Sequence, residues 1–260
     1  MFRPFKNFTF FRIAAMRKRL FLAAPLFLQL TVLSAPLSAQ SPGPGFVSLF
    51  NGRDFTNWDI TPDRGAWVIE KGEILCKGKP GVPYLVRSVK EYENFEFYID
   101  FRISKGCNSG IFYHVRQLGR ESRIGFETQI LDDAGTDPNK TSSGSIYDVI
   151  APKTNAMKPA GEWNRYHILF DWPRCKVWLN DTIVQDIDCT ADPVFKYRLR
   201  KGIIGLSNHG SQAWFRNIWV KELPGKERWE NLFNGRDLSG WVKIGDADWQ
   251  VRDGEIVAAK

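Results

Sequence analysis

Strict alternation of side chains between residues 95 and 103 restricts the fold more than any other feature of the sequence. Large apolar residues stand at every second position: Phe95, Phe97, Ile99, Phe101 and Ile103 alternate with Glu96, Tyr98, Asp100 and Arg102. A period of two over this length is typical of a β-strand that buries one face. The sequence therefore predicts a sheet that packs by one side.

Similar runs of apolar, β-branched and aromatic residues predict further strands, and no stretch shows the periodicity of an amphipathic helix. The predicted strands cover residues 66–70, 74–77, 84–87, 110–115, 126–131, 165–172, 176–179, 182–187, 202–207 and 213–221. Many short strands separated by turn residues favour an all-β fold, an antiparallel sandwich of two sheets, over an α/β fold.

The first 39 residues predict a signal peptide. They contain basic residues but no acidic one, and Arg17, Lys18 and Arg19 precede an apolar run over residues 20–33. That run is shorter than the ~20 apolar residues of a membrane-spanning helix, and small residues follow it. We therefore expect cleavage after Ala39, a periplasmic or secreted protein, and no membrane association after cleavage.

The net charge gives no indication of a nucleic-acid partner. The whole chain carries a formal charge of +7, and the basic residues of the predicted signal peptide supply most of it. The remainder is close to neutral and has no basic cluster interleaved with aromatic residues, so nucleic acid is not an expected partner.

Four cysteines occur in this chain, Cys76, Cys107, Cys175 and Cys189, and their pairing stays open. An exported protein can form disulfides. If Asn180 and Asp181 form a two-residue hairpin turn, however, Cys175 lies opposite Asp186 and not opposite Cys189. The spacing also lacks the Cys-x-x-Cys pattern of a zinc site.

An internal repeat divides the chain. Residues 49–54 (LFNGRD) and Trp58 recur as residues 232–237 (LFNGRD) and Trp241, and Trp67 recurs as Trp249. We expect a tether over 40–45, a sandwich domain over 46–223, a linker over 224–228, and the truncated start of a second copy over 229–260.

The predicted strand over residues 126–131 places polar side chains on one face. Glu127 and Gln129 share a side, while Phe126, Thr128 and Ile130 share the other. A buried carboxylate costs free energy unless it is paired, so this one has either a structural salt bridge or a chemical role. The stretch by itself leaves both interpretations open.

Six motifs together resemble one protein family. They are residues 46–54 (FVSLFNGRD), 108–115 (NSGIFYHV), 127–132 (ETQILD), 158–164 (KPAGEWN), 208–210 (NHG) and 215–218 (FRNI). In this order they resemble the 3-keto-disaccharide hydrolase domain family, over residues 46–223. The resemblance implies a jelly-roll sandwich like those of concanavalin and laminin G, a ligand site on the concave sheet, and activity on glycosides oxidised at carbon 3.

A ketone at carbon 3 acidifies the hydrogen on carbon 2, so that a base can remove it and the aglycone can leave by elimination, with water added afterwards. Such chemistry needs a base, a group that stabilises the enolate, and an acid. Glu127 is the candidate base, and the other catalytic candidates are His114, His209, Arg216 and Tyr147. His114 would meet Glu127 if its strand face is the concave one.

The candidate substrate-binding residues are Gln129, Asp132, Asn108, Trp178 and Lys158. Trp178 is either a sugar platform or a packing residue, and Asp132 is either a ligand or a loop cap. No cofactor is certain, but His114, Glu127 and His209 are candidates to bind a divalent metal.

The expected substrate is a 3-keto glycoside or disaccharide, and two alternatives compete with this function. A non-catalytic carbohydrate-binding module is one, since sandwich faces with aromatic residues bind sugars without catalysis. An ordinary retaining glycosidase is the other and the weaker one, because no second acid closely follows Glu127.

Overall fold

Two antiparallel sheets make up the fold in the computed structural model, which describes residues 40–62, 65–78, 85–116, 121–226 and 231–259. The predicted signal peptide over 1–39 and part of the predicted linker lie outside these ranges. Within them, no helix is long and apolar enough to cross a membrane.

The strands are β1 Val47–Ser48, β2 Trp58–Asp59, β3 Trp67–Glu70, β4 Glu73–Lys77, β5 Leu85–Tyr92, β6 Asn94–Ile103, β7 Asn108–Val115, β8 Phe126–Leu131, β9 Asn164–Asp171, β10 Arg174–Leu179, β11 Thr182–Asp188, β12 Gly202–Ser207, β13 Gln212–Leu223, β14 Asp248–Arg252 and β15 Glu255–Ala259. One helical turn, α1 Glu121–Ile124, precedes β8, and a 3-10 turn spans Pro193–Phe195.

The large sheet has the order β11-β10-β9-β6-β13-β4-β3, with β1 paired to β13, and the small sheet has the order β2-β5-β12-β7-β8. Every pairing in both sheets is antiparallel. The prediction of an all-β, antiparallel two-sheet jelly-roll sandwich is confirmed, and each predicted strand has an observed counterpart whose ends differ by no more than five residues.

Aromatic side chains fill the space between the sheets. The apolar series of β6, from Phe95 to Ile103, is fully buried, as its alternation predicts. Phe95 stacks on Phe170 of β9 and contacts Tyr113 of β7, which joins the large sheet to the small one. Burial of such large rings supplies most of the favourable free energy of folding.

The hairpin of β10 and β11 has the predicted turn but a different register. Asn180 and Asp181 have φ values of 49° and 64°, the left-handed pair that a two-residue turn requires. A bulge after Val177 then shifts the pairing, so that Cys175 faces Ile187 and not Asp186 as predicted. All four cysteines are buried and free.

The repeated motif forms the same local structure in both places. The indole nitrogen of Trp58 donates to the Leu49 carbonyl at 2.9 Å, and that of Trp241 donates to the Leu232 carbonyl at 2.9 Å. Burial differs, because β3 and β4 join the large sheet whereas β14 and β15 form a two-stranded sheet of their own. Trp241 is 46% exposed, whereas Trp58 is 4% exposed. The domain boundaries stay predictions.

Candidate active site

Strand β8 carries the central residue of the site. Its side chains alternate as predicted: Phe126, Thr128 and Ile130 point into the core, and Glu127 and Gln129 point to the outer face of the small sheet. That face is not open surface here, because Glu127 is 4% exposed and Gln129 is 2% exposed. The carboxylate is therefore buried, and its position on this face, between Phe112 and Gln129, is called the recess below.

A short segment after β8 flanks it on the side away from β7. Gly144, with φ of 83°, forms a glycine bulge: its N–H donates to the Gln129 carbonyl at 3.0 Å, and the Gln129 N–H donates to the Ser145 carbonyl at 3.2 Å. The Tyr147 N–H donates to the Glu127 carbonyl at 3.0 Å. Ser145 thus lies beside Gln129, and Tyr147 lies beside Glu127.

Gly110 of β7 provides the seat of the carboxylate. In the β7–β8 register Gly110 lies opposite Gln129, and Glu127 leans diagonally over it. A methyl group on Gly110 would lie 3.2 Å from Glu127 Cδ and would overlap Oε1. Only glycine leaves room for the carboxylate in this position, since any Cβ would displace it.

Gln129 and Asn108 form the polar end of the recess. The Gln129 amide nitrogen donates to Asn108 Oδ1 at 3.2 Å, so the structure brings together these two predicted substrate-binding residues. Glu127, Gln129, Asn108 and Tyr147 therefore occupy neighbouring positions in the sheet, as a site built on Glu127 requires.

The other end of the recess is apolar. Phe112 lies directly opposite Glu127, and it packs with Leu85, Val115 and Ile203 in a small cluster separate from the main core. The carboxylate thus lies between an apolar wall and a set of amide and hydroxyl groups. This arrangement suits a sugar ring, which has an apolar face and polar edges.

His114 does not lie on this face, and the prediction that it meets Glu127 is wrong. A bulge in the β7–β12 pairing and a positive φ of 59° turn its ring into the core. There it packs edge-on against Phe170 at 4.5 Å between ring centroids, and Nε2 donates to the Glu93 carbonyl at 2.7 Å. Burial lowers the pKa of His114 to about 4.

Arg216 and Trp178 lie on the outer face of the large sheet, which the core separates from Glu127. The alternation of side chains along a strand does not tell which sheet that strand joins. Arg216 stacks on Trp163 at 3.8 Å and pairs with Glu73 at 3.5 Å. Trp178 stacks on His167 at 4.2 Å, so it is a packing residue and not a sugar platform in this site.

Asp132 and Lys158 make contacts within the fold, and their substrate-binding roles stay predictions. Asp132 Oδ2 accepts the Gly106 N–H at 2.7 Å, and this bond caps the turn before β7. Lys158 is exposed, and its Nζ donates to the Trp163 carbonyl at 3.2 Å beside the start of β9, in the large sheet. Neither side chain is directed at Glu127.

His209 follows β12 in an exposed turn, at the end of the small sheet where Asn108 begins β7. Partial burial lowers the pKa of His209 below its usual value. No three His, Cys, Asp or Glu side chains within the described ranges are placed to bind a metal together. His114, Glu127 and His209 do not form the predicted metal set, because His114 points into the core.

Sequence reasoning missed three residues near the carboxylate. They are Gly110 and Ser145, described above, and Ser207 of β12, which lies opposite Gly110 on the strand beyond β7. A glycine inside a predicted strand is a usable indication of close approach, and Gly110 occurs in the NSGIFYHV motif. The two serines carry no such indication, because serine is common at strand ends and in loops.

Similarity to known proteins extends over most of the chain. Residues 45–221 match the family described as 3-keto-alpha-glucoside-1,2-lyase-like domain. A Bacteroides thetaiotaomicron protein named 3-keto-disaccharide hydrolase is 30% identical over 244 residues, covering 74% of this chain and 81% of that protein.

Two crystal structures of a proposed glycosyl hydrolase from Parabacteroides distasonis are similar in fold. Each is 27% identical to this chain with a TM-score of 0.60. The alignments cover 69% of this chain and 95% of that one in the first case, and 68% and 99% in the second.

The buried His114 makes a prediction about pH. Its pKa is about 4 in the folded state, below the ordinary ~6.5 of the unfolded chain, so the unfolded chain binds the proton first. Above pH 6.5 the neutral His114 therefore makes its full contribution to the free energy of unfolding. As the pH falls from 6.5 to 4, protonation of His114 in the unfolded chain lowers the free energy of unfolding by about 3 kcal/mol. Urea unfolding at pH 7 and pH 4 measures this loss. His114→Gln should lose less stability over that range, and an equal loss in both proteins contradicts the assignment.

The seat of the carboxylate predicts the effect of Gly110→Ala. The new methyl group displaces only the end of a flexible side chain, so the melting temperature should change little. Misplacement by about 1 Å can cost a catalytic group about 10²-fold in rate, so turnover of its substrate should fall by about that factor. The loss should disappear in a Glu127→Gln background. A further loss there would show that Gly110 acts independently of the carboxylate.

Proposed function

Because the chain belongs to the 3-keto-alpha-glucoside-1,2-lyase-like domain family, we propose that it cleaves glycosides whose sugar carries a ketone at carbon 3. The observation that supports this most is the Glu127 carboxylate, recessed on the small sheet between the Phe112 wall and the amides of Gln129 and Asn108. The similarity to a protein named 3-keto-disaccharide hydrolase supports the same substrate class.

The proposed reaction begins with proton transfer. The carboxylate of Glu127 takes the hydrogen on carbon 2, and the electron pair of that bond moves into the carbonyl at carbon 3 to give an enolate. The enolate then re-forms the ketone and expels the aglycone oxygen from carbon 1, which leaves a double bond between carbons 1 and 2. Addition of water to carbon 1 and return of the proton to carbon 2 give net hydrolysis.

Each neighbour of Glu127 has a role in this reaction. Tyr147, held beside Glu127 by the backbone hydrogen bond, presents a phenol that protonates the leaving oxygen. Gln129 and Asn108 hold hydroxyl groups of the sugar. The apolar cluster around Phe112 covers a face of the ring and excludes water from the enolate.

The surroundings of Glu127 favour a single base over the paired carboxylates of a retaining glycosidase. Such a pair needs a second carboxyl group about 5–5.5 Å away. Asp132, the next acid in the chain, caps a turn, and Asp59 on β2 pairs with Arg87 at 2.6 Å. Both are therefore engaged elsewhere.

Replacing the base tests the proposal. Glu127→Gln keeps the shape of the side chain but cannot accept a proton, so turnover of a 3-keto glycoside should fall about 10²–10⁴-fold with the melting temperature kept. Glu73→Gln is the matched control: it weakens ion pairs to Arg102 and Arg216 on the large sheet and should leave turnover unchanged.

Near wild-type turnover of Glu127→Gln would move the base elsewhere. Lost stability with full activity per folded molecule would assign Glu127 a structural role. A wild-type protein that binds both the 3-keto glycoside and its unoxidised parent without turnover would be a binding module.

We also propose that the protein is exported to the periplasm or beyond the cell, because of the basic, apolar and small-residue regions of residues 1–39. Residues 16–40 begin at Met16 and contain the basic, apolar and small-residue regions. Fused to a reporter that is active only outside the cytoplasm, they should deliver the reporter there. A reporter that stays inactive contradicts the proposal.

A further inference from the structure

A row of polar positions crosses the outer face of the small sheet beside Glu127. Ser145 lies beside Gln129, and Gln129 lies opposite Gly110 of β7. Ser207 of β12 is one step beyond the Leu206–Ile111 pair, which places it opposite Gly110 on the other side. The row therefore runs Ser145, Gln129, Gly110, Ser207.

Ser207 faces outward, to the same side as Glu127. Its register partner on β5 is Leu85, which belongs to the outer apolar cluster with Phe112. Its neighbour Leu206 faces the main core instead. Directly opposed residues in a sheet share a face, so the Ser207 side chain projects into the recess.

Three polar atoms in this row are buried without a hydrogen-bond partner among the residues that the structure describes: Ser145 Oγ, Gln129 Oε1 and Ser207 Oγ. Ser145 is 0% exposed, Gln129 2% and Ser207 1%. Buried polar groups in proteins are normally hydrogen-bonded, because leaving one unpaired costs free energy. These three atoms lie in one row beside the seat of the carboxylate, where a bound ligand would give each of them a partner.

The chemistry of the two atoms on either side of Gly110 orients that ligand. Gln129 Oε1 is an amide oxygen, which carries no hydrogen and can only accept, and the amide nitrogen of Gln129 is directed at Asn108. It therefore repels a carbonyl oxygen and binds a hydroxyl. The Ser207 hydroxyl can donate. A 3-keto ring placed against the Glu127 carboxylate, which covers Gly110, thus has its carbonyl toward Ser207 and a hydroxyl toward Gln129.

We propose that Ser207 donates a hydrogen bond to the carbonyl oxygen at carbon 3 and stabilises the enolate, while Gln129 Oε1 accepts a sugar hydroxyl. This inference rests on the proposed function and assigns the group that the reaction needs beside its base. When Glu127 takes the proton from carbon 2, the negative charge develops on the oxygen at carbon 3, next to the Ser207 hydroxyl. Donors placed where charge develops are worth most in a recess without water.

The test uses methyl 3-keto-α-D-glucopyranoside and the full chain. Ser207→Ala should lower kcat about 10²–10³-fold, as loss of one oxyanion donor does elsewhere, with a much smaller change in KM. Ser207→Thr keeps the donor and should restore part of the rate. Ser88→Ala is the matched control, a buried serine of the same sheet whose hydroxyl bonds only backbone groups, and its kcat should not change.

A spectroscopic measurement separates this inference from the proposed function. Bound to Glu127→Gln, the substrate labelled with ¹³C at carbon 3 should show a downfield carbonyl shift that is lost in Glu127→Gln with Ser207→Ala. If Ser207→Ala keeps the wild-type kcat, or if the carbonyl shift is equal in Glu127→Gln and in Glu127→Gln with Ser207→Ala, the role of Ser207 is wrong and the proposed function stands. If the wild-type protein neither binds nor turns over the substrate, the proposed function and the role of Ser207 are both wrong.

Discussion

The close pairing of β7 with β8 is the contact on which the site depends. It places Glu127 over a position without a side chain, and contacts with the core hold β8 in this register. Tyr166 of β9 donates its hydroxyl to the Gln129 carbonyl at 2.6 Å from the core side. Phe126 and Ile130 anchor the strand in the core. A shift of one residue in the register of β8 would turn the carboxylate into the core, among the aromatic rings. A buried carboxylate without a partner strongly destabilises the folded state.

The two outer faces of the sandwich differ in how their polar groups are arranged. On the large sheet several side chains pair with one another, as when His167 lies between Tyr98 and Trp178 and bonds Glu96 at 2.8 Å, while Arg102 Nε and Arg216 Nε are buried without a hydrogen-bond partner among the described residues. On the small sheet the buried polar atoms around Glu127 that lack a partner among the described residues lie in one row beside the carboxylate. We propose this row as the place where a ligand binds, at some expense of stability.

Much of the fold and part of the site could be predicted from sequence, because both depend on the period of two. Alternation gave β6 its buried face and separated Glu127 from Phe126 correctly. The same rule failed at His114, because a bulge in the pairing of β7 with β12 turns this residue to the opposite face. No residue pattern in the sequence identifies the position of such a bulge. It also could not tell that Arg216 and Glu127 lie on different sheets, since pairing between distant strands is a tertiary property. The proposed role of Ser207 could not be predicted for a related reason, because it depends on the pairing of β12 with the neighbouring strand β7.

A crystal structure of the Glu127→Gln protein with methyl 3-keto-α-D-glucopyranoside would show whether the oxidised sugar binds at residue 127 on the small sheet. We expect the ring to lie against the residue 127 side chain, which covers Gly110, with carbon 2 next to that side chain and the oxygen at carbon 3 within hydrogen-bond distance of Ser207 Oγ. A sugar bound instead on the large sheet, against Trp178 or Trp163, would contradict it.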